Sequence, residues 1–195
     1  SGNIPADERI ITIEDNAELQ IQNISNLVRL ETRNANMEGC KPITIRDLIK
    51  ASLRMRPDRI IVGEVRGEEA VDLLTAMNTG HDGSISTGHA NSARDMLTRL
   101  ETMVLMGVEM PLEAIRRQIA SAVDVIIHLG RLRDHSRKLL EIVEVIGYDN
   151  HEIVLSPLYT FVEDGCTKEG KICGTFVKQN NMVHVQKLKA AGIEV

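Results

Sequence analysis

The stretch that most restricts the fold is Arg59-Ile60-Ile61-Val62-Gly63-Glu64-Val65-Arg66-Gly67, preceded by Pro57-Asp58. Ile60 to Gly63 carry no charge. A short apolar run bounded by turn residues predicts a parallel strand buried on both faces. In open α/β sheets, ligands sit beyond the carboxyl ends of such strands, and Glu64 falls there. A carboxylate at that point can position a water or help hold Mg2+ in phosphate chemistry. Taken alone, it is equally an acid that solvates a strand end.

The surrounding pattern supports the strand. Arg9 to Ile13 is rich in β-branched residues and predicts a strand ending in Glu14, Asp15 and Glu18. Val28 to Arg33 alternates with period two, as an edge strand does, and residues 34–42 form a loop. Thr44 and Asp47 form a weak capping box for a helix that Pro57 stops. A second helix follows Glu68 and Glu69 and closes at Gly80. Gly83 to His89 predicts another short strand, and Asn91 or Ser92 caps a helix running to Gly107. Pro111 opens the next helix, and Val125 to Leu129 is a strand. From Lys138 onward the pattern changes to hairpins, with a turn at Asp149 to Glu152 and a final helix around residues 182–191. Alternating strands and helices predict a mainly parallel sheet flanked by helices, followed by antiparallel hairpins on its edge. The expected division is a core over 1–130 and an extension over 131–195, packed on the same domain.

Composition narrows the function classes. The 195 residues suffice for one domain with a core. Trp is absent, with two Phe and two Tyr, so aliphatic side chains fill the interior and base-stacking surfaces are disfavoured. A net charge of −5 gives no global attraction to nucleic acid, so no nucleic-acid partner is expected. The odd set Cys40, Cys166 and Cys173 does not form a disulfide framework and fits a reducing compartment. Cys166 and Cys173 could face each other across a hairpin.

Three clusters fall at strand ends: Glu14, Asp15 and Glu18; Glu64 with Arg66; and His81, Asp82, Ser84, Thr87 and His89. In a parallel sheet they would converge on one edge. One chemical reading is nucleotide hydrolysis, with acids tuning Mg2+ and positioning a water while Arg and His meet phosphate oxygens. Another is a metal hydrolase using His81, His89 and carboxylates, although their spacing is not a compact ligand motif. Each histidine alone is more simply a hydrogen-bonded structural residue. Arg29, Arg33, Arg46, Arg54, Arg56, Arg59 and Arg66 suit bidentate phosphate contacts, or salt bridges to neighbouring acids as the simpler reading for most of them.

These residues resemble those of a known family. Ile11-Thr12-Ile13-Glu14-Asp15-Asn16-Ala17-Glu18-Leu19 is similar to the Asp box of the type II/type IV secretion ATPases. Arg56 to Gly67 resembles their atypical Walker B, with Gly-Glu where other P-loop proteins carry Asp. Gly80 to Ser84, with Thr87-Gly88-His89-Ala90-Asn91-Ser92, resembles their His box. Val28 to Arg33 and His89 to Ser92 are most similar to the CpaF/TadA-like pilus-assembly branch.

The resemblance implies part of a RecA-like P-loop NTPase domain from a homohexameric motor that hydrolyses ATP. Such a motor acts on the cytoplasmic face of the membrane with inner-membrane platform proteins and powers pilus assembly or protein secretion. It further implies that Glu64 acts at the catalytic water, supported by Glu14 and His89. Glu14, Asp15 and Glu18 would help hold Mg2+. His81, Arg29, Arg33 and Arg66 would meet phosphates or a neighbouring subunit.

One departure from the family is decisive. The phosphate-cradling Gly-x-x-x-x-Gly-Lys-Ser/Thr loop does not occur in this sequence. The chain therefore reads as a truncated ATPase domain, expected to bind ATP and Mg2+ weakly or not at all by itself. The competing readings are a non-catalytic oligomerisation or docking module with a vestigial site, and a DNA-translocating motor.

Overall fold

The computed structural model describes residues 2–35 and 39–194; residues 36–38 of the expected loop lie outside the described residues. Four strands form an all-parallel sheet: β1 (Arg9–Glu14), β2 (Asn26–Glu31), β3 (Arg59–Val62) and β4 (Ile85–Ser86), in the order β2-β1-β3-β4. Register places Ile11 beside Ile60 and Ile13 beside Val62. These four side chains share the face that packs into the helical core, and none is exposed. Each buried aliphatic side chain of this kind stabilises the fold by roughly 1.5–3 kcal/mol.

Helices α1 (Ile45–Ser52), α2 (Ala70–Met77), α3 (Ala93–Gly107) and α4 (Leu112–Ala122) supply the rest of that core. The capping box of α1 is complete: Thr44 accepts the Asp47 N–H, and Asp47 accepts the Thr44 N–H at 2.9 Å. Ser92 caps α3 by accepting the Asp95 N–H at 3.0 Å. Among the described residues, no helix is long and apolar enough to cross a membrane.

The C-terminal strands do not extend the parallel sheet. β5 (Val125–Arg131), β6 (Arg137–Asp149), β7 (Glu152–Cys166) and β8 (Ile172–Lys178) form their own antiparallel sheet in chain order. The change of sheet comes between α4 and β5, so residue 130 lies inside a strand of the second sheet. Helix α4 joins the two halves. Ile115 and Ile119 share one core with Val62 of β3 and with Val145 and Ile153 of the second sheet.

β7 continues through Pro157, which pairs with Val143 beside a register shift. Pairing with β8 begins only at Tyr159, so Pro157 leaves no vacancy in the β7–β8 ladder. The β6–β7 turn places Asn150 and His151 at φ 46° and 66°, the left-handed pair that a tight hairpin needs. Across β7–β8, Cys173 faces Gly165 and Cys166 faces Ile172, so the two thiols do not oppose each other.

The chain after β8 lies back over the molecule. Gln179 donates its N–H to the Leu158 carbonyl at 2.8 Å. The Val183 and His184 N–H groups donate to the Glu144 carboxylate at 2.8 and 2.7 Å. Glu144 is fully buried. Helix α5 (Gln186–Ala190) carries Lys187, which reaches Asp82 at 2.8 Å and Asp124 at 3.4 Å.

Candidate functional site

The carboxyl ends of the four parallel strands meet on one edge. Register aligns Ile13, Val62 and Ser86, so Glu14, Gly63 and Thr87 follow at one level. Gly63 donates its N–H to the Ile13 carbonyl at 2.8 Å. A Cβ at Gly63 would stand 3.1 Å from the Glu14 Cγ, tighter than ordinary packing, so Glu14 would have to give way to any side chain there. On the other side, the Thr87 hydroxyl donates to the Gly63 carbonyl at 2.6 Å.

Glu64 projects from this edge with its side chain a quarter exposed. Its Oε1 lies 3.2 Å from Nε2 of His89, and its Oε2 lies 3.3 Å from Nε of Arg66. Arg66 also donates through Nη2 to Asp15 at 2.5 Å. The Thr32 hydroxyl donates to Asp15 at 3.2 Å. His89, Glu64, Arg66, Asp15 and Thr32 thus form one chain of polar contacts along the sheet edge.

A cleft of about 390 Å3 adjoins this chain, lined in part by Asp15, Arg33, Thr44, Arg46 and Arg66. Glu64 and His89 lie outside it. Arg46 is committed to Asp72 at 2.6 Å and Glu68 at 3.1 Å. The hydrogen bond that Arg46 donates to Asp72 is the main cause that holds the Arg46 pKa above its ordinary value.

Other expected site residues are placed differently. Glu14 is buried, and its Oε1 accepts the N–H groups of Glu18 and Leu19, both at 3.0 Å. It therefore shapes the start of the crossover after β1. The side chain of Glu18 is exposed. Among the described residues, no group of three or more His, Cys, Asp or Glu side chains is placed to hold a metal ion. Of the expected set Glu14, Asp15 and Glu18, Glu14 faces backbone N–H groups, Asp15 faces Arg66 and Glu18 faces solvent.

The histidines separate. His89 follows β4 and meets Glu64, whereas His81 precedes β4 and lies at the opposite, amino edge of the sheet. Its Nδ1 donates to the Ala76 carbonyl at 3.0 Å, at the C-terminal end of α2. The expectation that both histidines converge on one edge is therefore corrected, because a strand runs between them.

Arg33 continues past β2 and lines the cleft, donating to the Lys41 carbonyl at 3.3 Å. Arg29 sits mid-strand opposite Thr12 and donates to the Ile21 carbonyl at 3.2 Å, back from the edge.

Two residues gain roles that the sequence did not assign. Thr87 was one member of a cluster, and Glu69 was a favourable acid at a helix start. The Glu69 Oε1 accepts the N–H groups of Arg66 and Gly67 at 2.6 and 3.0 Å, folding the turn that follows Glu64. The signal available in the sequence was an acid two residues after Gly67, placed to close a turn.

Comparison with known proteins gives the same edge a context. A sequence model of the type II/IV secretion system protein family matches residues 1–186. A Mycobacterium tuberculosis H37Rv protein bearing the name of a conjugal transfer protein, Rv3659c, is 47% identical over 141 residues, covering 72% of this chain and 40% of the relative. The crystal structure of the VirB11 ATPase of the Brucella suis type IV secretion system superposes with a TM-score of 0.64 at 37% identity, covering 72% of this chain and 41% of that one. The Legionella pneumophila ATPase DotB shares the fold, with a TM-score of 0.52 at 23% identity, covering 73% of this chain and 37% of that one. This chain spans about two fifths of the length of the curated relatives it matches. These names point to the superfamily and not to the pilus-assembly branch in particular. A match across almost the whole sequence, with this fold beneath it, makes the chain a member of the type II/IV secretion system protein family.

Proposed function

We propose that the whole protein is an ATP hydrolase that drives protein secretion or pilus assembly, and that this chain supplies the water-positioning half of its nucleotide site. The observation that carries this reading is Glu64, set at the carboxyl edge of a parallel sheet between His89 and Arg66. A carboxylate so placed can orient a water for in-line attack on a phosphoryl group. Arg66 and His89 fix its direction and offer positive or hydrogen-bonding contacts to phosphate oxygens. Asp15 and Glu64 are acids on the open edge, and Mg2+ typically takes one or two carboxylates together with substrate phosphates and waters. When bound, the ion would neutralise charge developing on the phosphates. Glu14 supports the edge from below, and Arg33 is available to an anion in the adjoining cleft. The whole protein works as a homohexamer against platform proteins at the cytoplasmic face of the inner membrane.

Substituting Glu64→Gln in the whole protein keeps the shape of the side chain and removes its charge. ATP binding should persist while kcat falls about a hundredfold or more. Near-normal turnover would overturn the assignment. A second reading is a docking module with a vestigial site, and a Gly-x-x-x-x-Gly-Lys-Ser/Thr loop elsewhere in the whole protein would count against it. That reading predicts no measurable turnover before any substitution is made.

A further inference from the structure

The direction of the Glu64 carboxylate depends on the two peptide units that flank it, and one residue holds both. The Thr87 hydroxyl donates to the Gly63 carbonyl at 2.6 Å, which fixes the peptide before Glu64. The Thr87 carbonyl accepts the Val65 N–H at 2.9 Å, which fixes the peptide after it. β4 ends at Ser86, so the hydroxyl contributes a bond just beyond the regular strand. On the opposite side, Gly63 is already tied to Ile13 and packed against Glu14, so the backbone is gripped from both neighbouring strands. Any residue at position 87 could supply the carbonyl bond. The bond to Gly63 comes from the side-chain hydroxyl, which Ser would keep and which Val and Ala lack.

We propose that Thr87 is a positioning residue for Glu64: its hydroxyl, acting through the Gly63 carbonyl, aims the carboxylate at the reacting water. This rests on the reading of Glu64 given above. Thr87 need touch neither nucleotide nor water. Its contribution is geometric, and a displacement of ~1 Å at a reacting group is enough to cost about two powers of ten in rate.

The test measures ATP hydrolysis by the whole protein carrying Thr87→Val, Thr87→Ala or Thr87→Ser, each also combined with Glu64→Gln. Thr87→Val should lower kcat by roughly tenfold to a hundredfold while the KM for ATP moves by no more than about twofold. Thr87→Ser, which restores the hydroxyl, should recover kcat to within about threefold of the parent. On the Glu64→Gln background, removing the hydroxyl should cause no further loss, because both changes act through one group. Thr87→Ala removes the same hydroxyl without the β-branch and stands in if Thr87→Val does not fold. The proposal is overturned if loss of the hydroxyl leaves kcat intact, if Thr87→Ser loses as much as Thr87→Val, or if the double variant falls well below Glu64→Gln alone. A fully active Glu64→Gln protein would instead overturn the reading of Glu64 itself.

Discussion

The two edges of the parallel sheet carry similar residues and use them differently. At the amino edge, Arg59 is bound by Glu8 through two nitrogens, the Arg9 N–H donates to Asp58 at 2.6 Å, and the Ser84 hydroxyl accepts the Ile60 N–H at 3.1 Å. The Glu8 hydrogen bond is the main reason that the Arg59 pKa lies above its ordinary value. The Arg59 guanidinium also fills the space beside Gly83, where a Cβ would collide with it. The carboxyl edge is looser. Glu64 has one contact on each oxygen, and His89 is 84% exposed. A closed set of pairs fastens strands together, while an open set retains capacity for a ligand. Charge at a strand end is therefore not evidence of a site until its partners are known.

The sharpest way to break this comparison is to exchange the roles of the two histidines. His89→Ala should reduce turnover of the whole protein by about tenfold or more, with little change in melting temperature. His81→Ala should lower the melting temperature and leave activity per folded molecule intact, since its ring serves the end of α2. If His81→Ala reduced kcat without destabilising the fold, the division into a working edge and a fastening edge would fail.

Gly63→Ala probes the close approach at the working edge. The new methyl group would press on Glu14, which can give way only by straining its bonds to the Glu18 and Leu19 N–H groups. Overpacking of this kind costs about 1–3 kcal/mol. Differential scanning calorimetry should show a melting temperature lower by roughly 2–10 °C. An unchanged melting temperature would mean that the strand ends are less tightly set than their geometry implies.

The smallest effect concerns the second sheet. Asp134 accepts the Ser136 hydroxyl at 2.6 Å and the Ile172 N–H at 2.9 Å, joining the β5–β6 turn to β8. The Ser136 hydroxyl, followed by the Ile172 N–H, pulls its pKa well below the ordinary carboxylate range. A group whose folded-state pKa is depressed contributes stability above its unfolded pKa and loses it as pH falls towards the folded value. Asp134→Ala should therefore lower the melting temperature at pH 7, and the gap from the parent should narrow below about pH 4. A gap independent of pH would show that the carboxylate charge is not what Asp134 contributes.

Much of the working edge was legible from local pattern. The apolar run Ile60 to Gly63, the acid after it and the pairing of Thr44 with Asp47 each depend on residues near one another in sequence. His81 was grouped with His89 because β4 is only two residues long. With so short a strand, residues before and after it look like one cluster, although they lie at opposite edges. The second sheet was foreseen as hairpins but not as a separate sheet. Which edge a hairpin joins depends on non-local pairing, and here α4 stands between the sheets with Ile115 and Ile119 facing both. Pro157 lies inside β7, and only the register of β8 shows that its missing N–H is tolerated. The role of Thr87 was invisible for the same reason, since its partner Gly63 is distant in sequence.

The C-terminal segment is fastened at two points of different electrical character. The bonds from Val183 and His184 end on a carboxylate removed from solvent, where dissolved ions have little influence. The contacts of Lys187 with Asp82 and Asp124 lie in water, with the lysine side chain 61% exposed, and added salt weakens them. Rising ionic strength thus acts on the tail as on a rope with one knot under cover and one in the rain. The α5 end slips from the loop before β4 first, while residues 183 and 184 stay moored to the second sheet.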